Sequence, residues 1–153
     1  MRSTVLVLAA AAVSLSLAGP LAAATPASEQ AFLTAFKTAF QAKDANAIKA
    51  LVHTDGVSPM MLDFYMTALT SDFADGANAT FALQNLTPDD VAEVGRTQPG
   101  PGGGLVKLSP TPYKKLVITV AVKNSNGSST TTSSVYVADE GDKIRISAPA
   151  DVK

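Results

Sequence analysis

Apolar side chains recur at helical spacing in the first half of the chain and at alternate positions in the second. Phe32, Leu33, Phe36 and Phe40, with Ala35 and Ala39 beside them, mark one face of a helix. Thr25-Pro26 supplies its start, a capping hydroxyl followed by proline at the first helical position. Asp44 is placed to cap a second, short helix whose stripe is Ile48, Leu51 and Val52. Ser58-Pro59 starts a third, carrying Met61, Leu62, Tyr65 and Leu69 on one face, and Asp75-Gly76 is expected to end it. From Ala79 the period changes. Phe81 and Leu83 alternate with small or polar residues, as in a half-buried strand. Thr87-Pro88-Asp89-Asp90 reads as a turn or one short helical turn, and 98–104 as a flexible loop over the sheet edge or a pocket mouth. The clearest strand is 115–123, where Leu116, Ile118, Val120 and Val122 share a face. Asn124-Ser125-Asn126-Gly127 predicts a hairpin turn into a return strand over about 129–138. Glu140-Gly141 then turns the chain into a last strand holding Ile144 and Ile146.

Helices followed by an antiparallel meander predict an α+β fold, with N-terminal helices packed on an antiparallel sheet. The Phe32/Phe36/Phe40 stripe is expected to cover the sheet face bearing Ile118, Val120, Val137 and Ile146.

The first two dozen residues follow neither period. Arg2, an uncharged apolar run from Val5 to Leu17 and the small residues Ala22-Ala23-Ala24 form the pattern of a secretory signal peptide. The run is shorter than the roughly 20 apolar residues that span a bilayer. The expectation is therefore a leader over 1–24, cleaved near Ala24, and one α+β domain over 25–153, exported to the periplasm or beyond and not spanning a membrane. Removing Arg2 with the leader leaves 11 of the 12 basic residues against all 13 acidic ones, a formal charge of −2. The charges are interspersed, without a basic stripe, which argues against a nucleic-acid partner. There is no cysteine, so disulfides and thiolate chemistry are excluded and the fold rests on its core alone.

Three stretches carry a resemblance. Phe36 to Asp55 (FKTAFQAKDANAIKALVHTD) is similar to an aromatic helix running through a Lys/Gly-Asp-Ala turn into a short helix and an acidic residue. Residues 116–123 with 129–138 resemble a long hairpin, and Asp139 to Ser147 (DEGDKIRIS) a closing strand with Ile144 where a tryptophan often stands. Together they resemble the nuclear-transport-factor-2-like superfamily, also called cystatin-like or SnoaL-like, and small exported bacterial proteins of unknown function. The resemblance implies a curled sheet and helices around a conical pocket. It implies no single activity, because members isomerise, dehydrate, hydrolyse, bind or simply associate.

Candidate chemistry is sparse. His53, the one histidine, has Asp55 two residues on, and a carboxylate beside an imidazole can fix its tautomer and raise its basicity. Asp63 with Tyr65 offers an alternative base and hydroxyl donor, and Tyr65, Tyr113 and Tyr136 are the candidate ligand-binding polar groups. A lone histidine without cysteine gives no metal-ligand set, and the glycines of 100–104 lack both P-loop and dinucleotide spacing. No metal and no cofactor is expected. Ser128 to Ser134 (SSTTTSS) reads as an exposed strand of hydroxyls. The leading expectation is a non-catalytic exported module binding a small ligand or protein partner in or beside a cone-shaped pocket. One alternative is a small isomerase- or dehydratase-type enzyme using His53, Asp55 or Asp63. The other is an accessory protein that pairs, as a homodimer or with a partner, through a sheet face carrying Val117, Thr119, Ala121 and Tyr136. Met60, Met61 and Met66 are flexible enough to fill a pocket.

Overall fold

The computed structural model describes residues 24–71, 73, 78–124 and 127–152. Helices α1 (Pro26–Gln41), α2 (Ala45–Lys49) and α3 (Pro59–Thr70) precede strand β1 (Ala79–Asn85) and helix α4 (Pro88–Val94). Strands β2 (Gln98–Pro99), β3 (Leu105–Ser109), β4 (Lys114–Asn124), β5 (Gly127–Asp139), β6 (Ile144–Ile146) and β7 (Ala148–Asp151) follow. The fold is α+β.

Local chemistry sets the helix starts. The Thr25 hydroxyl accepts from the Ser28 N–H while the Ser28 side chain accepts from the Thr25 N–H. Asp44 accepts from the Ala47 N–H and Ser58 from that of Met61. Thr87 and Asp90 form a second reciprocal box, followed by Pro88 at the first helical position. Of the turn or short helical turn expected at 87–90, that box makes a helix of seven residues. Beyond the C-terminus of α1, Lys43 takes φ 56, a left-handed position that turns the chain towards α2. The second helix is shorter than expected, and Leu51 and Val52 lie past its cap at Ala50.

Two antiparallel sheets form, ordered β1-β4-β5-β6 and β2-β3-β7. In the first, Phe81 lies opposite Ile118 and Leu83 opposite Leu116, with Val135 beyond and Val137 opposite Ile146 on the same face. The Phe32, Phe36 and Phe40 side chains cover that face as expected, in one buried cluster with Ile118, Val120, Val137 and Ile146. Phe81 meets Phe36 and Phe40 edge-on, at ring-centroid distances of 5.7 and 5.3 Å.

The second sheet was not expected. It arises because β6 runs straight on into β7, which leaves β5 to pair with β3. Ser147, at the crossing point, is fully buried and bonded through each of its polar groups. Its N–H donates to the Tyr136 carbonyl at 2.9 Å, its hydroxyl donates to the Pro110 carbonyl at 2.8 Å, and its carbonyl accepts from the Tyr65 phenol at 2.9 Å. The far side of β6 is closed by the segment after α2, where the His53 N–H meets the Ile146 carbonyl and the Ile146 N–H meets the Leu51 carbonyl. Residues 98–104, read as loop throughout, contain β2 at their start. The expected hairpin is present, with Asn124 paired to Gly127, while its turn residues 125–126, the helix end at Asp75-Gly76 and the leader before Ala24 lie outside the described residues. Among the described residues no helix is long and apolar enough to cross a membrane.

Candidate functional site

A cavity of about 370 Å³ opens where β7 diverges from β5. Helix α3 gives it Tyr65, Ala68 and Leu69, strand β3 gives Val106 and Leu108, and the first sheet gives Ile118 and Val135. Its size is within the range that accommodates small ligands. The walls are mainly apolar. Charge is confined to Glu93, Arg96 and Lys107, and Glu93 already accepts from Arg96 at 3.3 Å and from the Gln98 amide at 3.1 Å.

Tyr65 and Tyr136, two of the three tyrosines expected at a ligand site, line this cavity. Both hydroxyl protons are committed. Tyr65 donates to the Ser147 carbonyl, and burial pushes its phenol well above the ordinary tyrosine range. Tyr136 donates to Asp90 at 3.2 Å, and its phenol is raised by burial and then by the Asp90 charge. Towards a ligand they present ring faces and acceptor oxygens. Asp90 also accepts from Lys115 at 2.7 Å and from Thr87, contacts that hold its carboxyl well below the usual range, the Lys115 bond foremost. Tyr113 does not join them. It donates to Glu29 at 3.1 Å, beside the Lys114–Glu29 ion pair at 2.7 Å, and fastens the first turn of α1 to the start of β4.

The expected catalytic groups fall elsewhere. Asp63 is exposed and lies two residues from Tyr65 on α3, so the two point to different sides of the helix and form no pair. His53 pairs through Nδ1 with Glu140, which is 87 residues away, and not with Asp55. Arg145 reaches the other Glu140 oxygen at 3.5 Å and the Ala50 carbonyl. His53, Asp55, Glu140 and Arg145 line a separate polar depression of about 270 Å³. The geometry gives the imidazole an orienting carboxylate of the expected kind from an unexpected residue, at a distance in sequence that no local pattern encodes. Among the described residues no cluster of three or more His, Cys, Asp and Glu side chains is arranged to hold a metal.

The methionines do not fill the cavity. Met61 is buried near Gly100 and the exposed Met60 borders a second depression with it, while Met66 packs on the core. The glycine loop faces that depression, and only its flanks, Gln98 and Val106, reach the main cavity. Glu93, Arg96 and Ser147 were not singled out in the sequence. Arg96 and Glu93 are three residues apart at the end of α4, a spacing that signals only a surface pair.

No protein-family model matches the sequence, and no curated protein matches it. Among solved structures it is similar to the helical cell shape determining protein Pgp2 from Campylobacter jejuni. That match has 12% identity and a TM-score of 0.40, and covers 78% of this chain and 38% of that one. The likeness is too slight to carry an argument about activity.

Proposed function

We propose that the chain is an exported, non-catalytic binding module of the nuclear-transport-factor-2-like kind, whose cavity between α3, β3 and β5 receives the apolar part of a ligand or partner. The observation that carries this reading is the cavity's chemistry. Its walls are apolar, its two tyrosine protons are already donated within the protein, and its charged groups include an internal pair. Such a space binds through burial, a few acceptor atoms and the Lys107 ammonium, and the one carboxylate among its described lining residues, Glu93, is already paired with Arg96. The helices laid on an antiparallel sheet support the family reading, and the apolar leader with Ala22-Ala23-Ala24 supports export.

Ala68 provides the test, because it lines the cavity yet is exposed on α3. Ala68→Trp should fill the mouth without disturbing the core. Titration with anilinonaphthalene sulfonate, an amphipathic fluorescent probe, is expected to give saturable binding to the natural protein. Binding at least about tenfold weaker is expected for the variant, the equivalent of about 1.4 kcal/mol. Equal binding by both proteins would remove the cavity as the site.

A further inference from the structure

Strand β5 pairs with β4 over 127–137 but with β6 only over 137–139. Within a strand, the N–H and C=O of one residue point to the same side and those of the next residue to the other. The bond from the Ser147 N–H to the Tyr136 carbonyl shows that even-numbered residues turn away from β4. Thr130, Thr132 and Ser134 therefore direct both backbone groups away from β4, beyond the point where β6 stops, and none of the described strands pairs with that outward edge. Natural sheets blunt such edges with charges, proline or bulges. Residues 127–136 (GSSTTTSSVY) contain no charge and no proline, and their register against β4 runs unbroken from Asn124↔Gly127 to Lys114↔Val137.

This open edge borders the cavity. Ser134 and Val135 form one wall, with Leu69, Val106 and Ile118 among the apolar side chains beyond. Building on the cavity reading, we infer that the occupant is an extended polypeptide segment of a partner. It adds as a strand along 130–134, continuing the ladder that β6 begins, and inserts one apolar side chain into the cavity. Main-chain bonds then provide affinity and the cavity selects the side chain. A free apolar molecule would leave the strand edge unpaired, and a second copy pairing β5 with β5 would leave the cavity empty. A peptide satisfies both.

The test uses acetylated, amidated heptapeptides of alternating threonine and lysine with leucine, isoleucine, phenylalanine or methionine at the centre. Each is compared with two analogues, N-methylated at the odd or at the even amides. Backbone amide spectra of the mature protein should show Thr130, Thr132 and Ser134 shifting on addition of at least one peptide. One N-methylated analogue should bind about tenfold more weakly and the other unchanged, since only one edge of the peptide meets β5. Thr132→Pro, which removes an outward N–H, should abolish binding. Thr132→Lys, which adds an edge charge without altering the backbone, should weaken it if the proline variant does not fold. Unmoved edge amides with every peptide would overturn strand addition while leaving the cavity reading standing, provided anilinonaphthalene sulfonate still titrates; if that probe also fails, the cavity reading falls too. Edge amides that shift with protein concentration alone, with a doubling of mass, would assign the edge to a second copy and overturn the inference.

Discussion

At the scale of single residues, two positions separate the local from the tertiary demands on the chain. Lys43 adopts φ 56 between α1 and α2, a conformation that costs a side chain about 1–2 kcal/mol relative to the right-handed region. Glycine avoids that cost but loses more freedom on folding, so Lys43→Gly is expected to stabilise by about 0.5–1 kcal/mol, read from the urea midpoint. Tyr65 shows the reverse case, a residue fixed by a partner 82 positions away. Tyr65→Phe leaves the ring packed but removes the donor to the buried Ser147, and should cost about 1 kcal/mol at neutral pH. The pH dependence follows from burial of the phenol. Its folded pKa lies above the unfolded value near 10, so the folded state retains the proton that the unfolded state releases, and stability falls as pH rises through that value. Unfolding by urea between about pH 8 and 11 should show a shallower decline in the Tyr65→Phe protein. Tyr113 and Tyr136, raised in the same direction, sustain the rest.

Elements whose signals are contiguous were legible in the sequence, and those made by distant pairing were not. Thr25, Asp44 and Ser58 announced their helices because a cap bonds within three residues of itself. The aromatic stripe of α1 and the alternation of β4 gave the main core, since both periods are fixed by backbone geometry. The second sheet left no such mark. Strands β3 and β7 are short, Pro149 interrupts the pattern of one, and their pairing joins Val106 to Asp151, with β4, β5 and β6 lying between them in sequence. The cavity is hidden for the same reason. It exists because the chain changes sheets at Ser147, a single serine between Ile146 and Ala148. Tyr65 and Tyr136 were found as polar groups, whereas their partners Ser147 and Asp90 were not. Helix α4 supplies a prediction at this scale. Asp90 both caps the helix and binds Lys115 and Tyr136 on β4 and β5, so it secures one wall of the cavity. Its folded pKa is depressed, so its contribution is present above the unfolded value near 4 and is lost as pH falls from there through the lower folded value. Asp90→Asn should lower stability at pH 7 and flatten its decline between about pH 5 and 2, followed by the urea midpoint.

At the scale of the whole molecule, the two sheets do different work. The four-stranded sheet and α1 bury the phenylalanine core, while the three-stranded sheet lines the cavity together with α3 and β5. The His53–Glu140–Arg145 group ties the segment after α2 to the β5–β6 connection, in a depression of its own. On the proposed reading, stability and binding fall in separate regions, and the surface of α3 at Ala68 is where a change should affect one without the other. Native mass spectrometry of the natural and Ala68→Trp proteins, purified gently side by side, tests this most directly. The account predicts a discrete added mass on the natural protein that denaturation removes and that the variant lacks. The same spectrum for both proteins would contradict it.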